Sequence, residues 1–285
     1  MFKNLMPFAL GIRAPMLDVL ELVKTTGFEG MDLSLGEAKQ LADEHSVAYV
    51  KSLFDEAGVK LGAWGMPVNW RAKDAEYQEH LAGLPESAKL AADLGCHQTI
   101  TAVMGGDNHR PFKENWDFHV KRLRPAAEIL NDYGHSLAVE FIGPEKSRQA
   151  FKYGFLYTMD ATLALCAAIG TGNVGLCFDV WHNYTSHTTL DDVKKLSKED
   201  VVYVHINDAP AGIEIADQND LLRALPGETG IIPLVETLRF LDDIGYDGPV
   251  APEPFSPKLK GLSAEESIRT TMETLDKVWK EAGLA

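Results

Sequence analysis

Cysteine is scarce in this 285-residue chain: Cys96, Cys166 and Cys177 are an odd number without CxxC spacing, which argues against a disulfide framework or a thiolate metal site. A reducing, cytoplasmic setting is the expectation. Long apolar runs are missing too, since no window approaches the roughly 18 to 20 consecutive apolar residues that cross a bilayer. Positive charge is in deficit, with 27 Lys and Arg against 42 Asp and Glu and a formal charge of −15. The summed field repels a polyanion, so neither duplex nucleic acid nor a membrane is expected as a partner. The opening MFKNLMPFALGIRAP is broken by Lys3, Asn4 and Arg13 and has no small-residue cleavage site, so it reads as a first strand rather than a signal peptide. No Gly-rich phosphate loop follows that strand, which weighs against an open, doubly wound nucleotide-binding sheet, the runner-up architecture.

What the chain does have is ample apolar material, 45% of residues, and a repeat. TTGFEGMDLSL, EAGVKLGAW, DLGCHQTITAV and DYGHSLAVEF each place a Gly at the foot of a helical stretch before a short apolar run. Gly is preferred just past a helix end because it adopts the left-handed conformation without a Cβ clash. Gly27, Gly58, Gly95, Gly134 and Gly170 are 31, 37, 39 and 36 residues apart, and Gly245 follows 75 later, or two units. About 36 residues per helix and strand gives close to eight units, so the spacing predicts an α/β fold of the (β/α)8 TIM barrel type, one domain over 1–285. The expected strands are 8–13, 30–35, 60–65, 98–104, 136–142, 174–180, 201–207 and 249–254. Helical patterns occupy 15–26, 37–57, 74–94, 113–132, 158–169, 189–197, 232–244 and 263–282.

In such a barrel the chemistry sits at the C-terminal ends of the strands. Charged residues interrupt four of the later apolar strands: Glu140 in LAVEFIG, Asp179 in LCFDVWH, His205 in YVHINDA and Glu253 in APEPF. Three carboxylates converging with an imidazole repel one another unless a cation lies among them. Three oxygen donors and one nitrogen suit one divalent ion, Mn²⁺, Co²⁺ or Mg²⁺ first and Zn²⁺ also, with coordination positions left for substrate oxygens. The competing reading, that each residue pairs with a nearby Lys or Arg or hydrogen-bonds in the core, fits one residue better than four equivalent ones.

Further residues fall on the same face. His182, three positions after Asp179, has three open roles: orienting a ligand, binding metal or touching substrate. Asp208 is similarly ambiguous after His205. Trp64 and Trp70, Asp107 and His109, and Arg148 and Lys152 lie in loops that could contact substrate, the tryptophans by stacking on a sugar face. His45, His80, His119 and His135 fall in helical patterns or at helix ends and are expected to face solvent. Glu253 lies between Pro252 and Pro254, which cannot donate to a sheet ladder, so the last strand must end there or distort.

VEFIGP, FDVWH, VVYVHINDAP, PGETGIIPL and GYDGPVAPEPF resemble the xylose-isomerase-like barrels, a group of sugar phosphate isomerases and epimerases that includes ketose 3-epimerases, inosose isomerases and dehydratases, and apurinic endonucleases. The resemblance spans nearly the whole chain and is strongest over 137–255. It implies that Glu140, Asp179, His205 and Glu253 bind one divalent metal, and that His182 lies near substrate. The implied reaction is isomerisation or epimerisation of a small sugar, keto-sugar or inosose, with Glu140 and Glu253 removing and returning a proton through a metal-stabilised enediolate. Dehydration on the same site is the rival. A non-catalytic sugar-binding barrel and an apurinic endonuclease are more distant readings, the last disfavoured by the acidity. The family likeness also implies a homodimer or homotetramer. One departure stands out: many ketose epimerases carry an Arg a few residues after the seventh-strand His, whereas INDAPAG has none and Arg223 lies far along the loop.

Overall fold

A computed structural model describes residues 1–284. Eight parallel strands form the barrel: β1 (Phe2–Leu5), β2 (Gly30–Met31), β3 (Lys60–Leu61 continuing as Ala63–Gly65), β4 (Gln98–Val103), β5 (Ser136–Phe141), β6 (Val174–Asp179), β7 (Val201–Ile206) and β8 (Pro249–Pro252). β1 pairs with both β2 and β8, and pairing runs on through β7, β6, β5 and β4 to the second segment of β3. The first segment of β3 pairs with β2, so the third strand closes the ring. Gly62 stands between the two segments, where a Cβ would lie 2.4 Å from the Asn4 side chain inside the barrel. The eight expected units are therefore present, and the six glycines behind that count all have positive φ, from 66° to 89°.

The exceptions are local. Residues 8–13 are not the first strand. Pro7, which has no N–H for a ladder, starts a 3-10 turn over Pro7–Leu10, and the strand is Phe2–Leu5 just before it. The 37–57 pattern is two helices, Leu35–Glu44 and Val47–Ala57, the second capped by Ser46 accepting from the Tyr49 N–H. Only Leu190–Val193 of 189–197 is helical.

Two apolar layers result. A large core lies between strands and helices, and a small one of Ala63, Ala138, Cys177, Tyr203 and Ala251 fills the barrel. Strand side chains alternate, so the residues two positions beyond the last four of these also point inward, one layer nearer the mouth. Those residues are Glu140, Asp179, His205 and Glu253. Among the described residues no helix is long and apolar enough to cross a membrane, and the three cysteines are buried and unpaired.

Candidate metal centre at the barrel mouth

The four strand-end residues converge as expected. Each offers one ligand atom, and these atoms all lie within 4.8 Å of one another, with all four residues buried. The register aligns them, since His205 pairs with Asp179 on one side and with Ala251, two residues before Glu253, on the other. His205 Nδ1 lies 2.7 Å from Glu140 Oε1 and 3.6 Å from Glu253 Oε2, while its Nε2 is buried without a partner. Asp179 ends β6 and caps the next helix, Val180–Thr185, accepting from the Trp181 N–H at 2.7 Å. β8 stops at Pro252, and the Glu253 N–H still donates to Ile206 O at 3.0 Å. The distortion expected of the proline pair comes just after, where Phe255 has φ +38°.

Charge balance separates the carboxylates. Burial raises Glu253 to about 7 against the pull of His205 and Arg223, with Glu140 and Asp179 pushing the same way as burial. Glu140 meets the same burial, but His205 beside it holds it below the ordinary carboxylate range. Asp179 is held low against burial by Arg223 and the two histidines. Burial disfavours a charged His205, yet the carboxylates of Glu253 and Glu140 beside it hold it well above 6.5. Cys177 lies 3.5 Å below His205 Nδ1, and burial keeps its thiol protonated, which suits packing better than ligation. Three buried carboxylates and an imidazole focused on one point are a donor set that a divalent cation fits.

His182 also reaches the site. Its Nδ1 accepts from the Gly143 N–H at 3.2 Å, which leaves Nε2 to carry the proton, 3.4 Å from Asp179 Oδ2. Gly143 permits this approach, because a Cβ there would lie 2.4 Å from His182 O.

Several other expectations need correction. Trp64 does not line the mouth. It packs outward, edge-on to His135 at 5.4 Å, within the layer between strands and helices. Trp70 is buried as well, its Nε1 donating to Thr101 Oγ1. Asp208 is wholly buried and accepts from the N–H groups of Ala209, Thr229, Gly230 and Ile232, so it shapes the loop after β7 and has no face for substrate. Asp107 accepts from the His109 and Arg110 N–H groups and pairs with the Arg110 side chain, while His109 is exposed and touches none of the ligands. Arg148 donates to Gly143 O at 3.2 Å and stacks on Tyr157, at the rim. His119 and His135 are buried, not solvent-facing, bonded to Asn115 O and Ala88 O.

Arg223, far along the loop in sequence, belongs to the site in space. The loop after β7 folds back and buries it against Asp179 and Glu253, at 2.9 and 2.6 Å. The signal available was chemical: a three-carboxylate cluster calls for positive charge, and Arg223 stands three residues before the PGETG segment that the resemblance already marked.

Residues 20–278 match the family model described as xylose isomerase-like TIM barrel. An inosose isomerase of Bacillus licheniformis is 31% identical over 200 residues, 70% of this chain and 67% of that protein. The crystal structure of a xylose isomerase domain protein from Alicyclobacillus acidocaldarius superposes with a TM-score of 0.89 at 31% identity, covering 99% of both chains. A protein called IOLI, crystallised with a zinc atom, superposes at TM-score 0.81 and 22% identity over 99% of both chains, a likeness of fold. With its matching span covering nearly all of the barrel, this chain belongs to the xylose isomerase-like TIM barrel family.

Proposed function

We propose that the protein is a divalent-metal-dependent isomerase or epimerase of a small keto-sugar or inosose, working in a reducing, cytoplasmic setting. The observation that carries this reading is the convergence of Glu140, Asp179, His205 and Glu253 at the mouth. The relative named as an inosose isomerase supports the substrate class, and the fold neighbour crystallised with a zinc atom is consistent with a divalent metal on this fold. Glu140, Asp179, His205 and Glu253 would hold the ion. When bound, it supplies Lewis acidity to a carbonyl and its neighbouring hydroxyl, which acidifies the adjacent C–H.

The chain's own residues handle the proton. Glu140 and Glu253 stand on β5 and beyond β8, on either side of His205, and their environments push their affinities for protons apart. Standing on opposite sides of the focus, one carboxylate can take the proton from a bound substrate and the other return it. His182, its protonated nitrogen facing Asp179, is placed to steer a substrate hydroxyl.

The test is a screen of ketoses and inososes in D₂O with chelator-stripped and Mn²⁺-reloaded protein, read by NMR. The expected result is deuterium at the carbon next to the carbonyl, together with an isomer or epimer, only in the reloaded sample. Activity that survives stripping would overturn the reading, and loss of water from the substrate would replace isomerisation by elimination.

A further inference from the structure

Arg223 is among the most completely held side chains at the mouth. It lies 18 residues beyond His205, in the irregular stretch before Pro233, and only 2% of the residue is accessible. Its Nη1 donates to Asp179 Oδ2 at 2.9 Å, to Glu253 Oε2 at 2.6 Å and to Glu253 O at 3.3 Å. On the other side of the fork, Nε donates to Asp220 O at 2.9 Å and Nη2 to Asp220 Oδ1 at 3.0 Å. The rings of Trp181 and Phe255 flank the guanidinium, each centroid 5.3 Å away. Such a group is fixed, not a mobile substrate clamp.

One nitrogen thus touches two of the four ligand residues and joins the carboxylate ending β6 to the carboxylate beyond β8. Through that bridge the neighbouring oxygens of Asp179 and Glu253 are held together by the chain itself, before any ion binds. Charge gives a second argument. Three carboxylates and a neutral imidazole around a divalent ion leave one surplus negative charge in a buried place, and Arg223, whose other edge pairs with the partly exposed Asp220, offsets it there. Lysine carries the same charge but not the planar fork that spans Asp220 on one side and two carboxylates on the other.

We propose that Arg223 is a positioning residue of the metal centre: it clamps Asp179 and Glu253 in ligating geometry, so that affinity for the ion depends on a residue that does not itself ligate. Asp220 acts behind it as the anchor. This inference rests on the metal-enzyme reading above.

Calorimetric titration of Mn²⁺ into the chelator-stripped full chain tests it, with circular dichroism and melting of each metal-free variant as the fold control. Arg223→Gln is expected to weaken Mn²⁺ binding about 10- to 100-fold, the range for partners that orient metal ligands. Arg223→Lys should lose less, and Asp220→Ala, which removes only the anchor, should lose least but in the same direction. Folded Arg223→Gln that binds as tightly as wild type, or more tightly, overturns the clamp. Should that variant fail to fold, Arg223→Lys and Asp220→Ala decide, and wild-type affinity in both overturns it equally. Wild-type protein that takes up no Mn²⁺ would instead bring down the metal-enzyme reading together with the clamp, so the two failures are distinguishable.

Discussion

Two polar clusters lie on the barrel axis, and they solve the problem of a carboxylate away from water in opposite ways. Around Asp32, at the end of β2, every hydrogen-bond partner is neutral: Asn4 Nδ2 at 2.7 Å, the Tyr203 hydroxyl at 2.8 and 3.0 Å, and the Ala63 N–H at 3.0 Å. Burial raises Asp32 to about 6 despite those hydrogen bonds. Around Asp179 the partners include a guanidinium and two histidines, and the carboxyl stays low. The first cluster can relieve its charge by taking up a single proton. The second gathers more negative charge than one proton removes, and its geometry leaves a focus for a cation. A buried acid is thus not by itself a sign of metal chemistry; the number of acids and the charge of their partners decide.

The sharpest way to break this comparison is to neutralise one acid in each cluster. Glu253→Gln and Glu140→Gln should each lower turnover about 10²- to 10⁴-fold, the usual contribution of a positioned acid or base, with the fold intact by circular dichroism. Asp32→Asn should leave Mn²⁺ affinity within about twofold of wild type. An equal loss of Mn²⁺ binding in Asp32→Asn would erase the distinction.

The next effect is on stability against pH, where Asp32 and His119 oppose each other. His119 is pushed from 6.5 to about 4, mainly by burial. Its contribution is present above 6.5 and is lost as pH falls through 4, on the order of 3 kcal/mol if fully expressed. Asp32 is raised, so its contribution is present below 3.8 and is lost as pH rises through about 6. Melting between pH 4 and 7 should therefore show Asp32→Asn to be more acid-sensitive than wild type and His119→Gln less so. Parallel pH profiles for the three proteins would refute the assignment.

The smallest expected effect is from Tyr203→Phe, which removes a donor from Asp32 and none from the metal ligands. A loss of about 1 to 3 kcal/mol in denaturant unfolding is expected, with Mn²⁺ affinity unchanged.

Most of the architecture and the four ligands were legible because both depend on short-range order. A glycine at a helix end and an apolar run after it report their local conformation, and the repeat of that pair counts the units. A charged residue inside such a run marks an inward position at a strand end, as Glu140, Asp179 and His205 show. Trp64 departs from expectation for a related reason: β3 breaks at Gly62, and the parity that sends Ala63 inward turns the indole outward. Asp208, three residues past His205, carried the same signal as His182, three past Asp179, and met the opposite fate once the loop amides closed on it.

By itself, then, the sequence determined the eightfold α/β repeat, the order of its strands and the four side chains aimed at the mouth, since periodicity and side-chain alternation are properties of neighbouring residues. Only the tertiary structure decided that Arg223 returns to join Asp179 and Glu253, that Asp32 stands among neutral partners and that His119 and His135 are buried. Those outcomes depend on the path of irregular loops and on contacts between residues tens or hundreds of positions apart, where no local period carries the information.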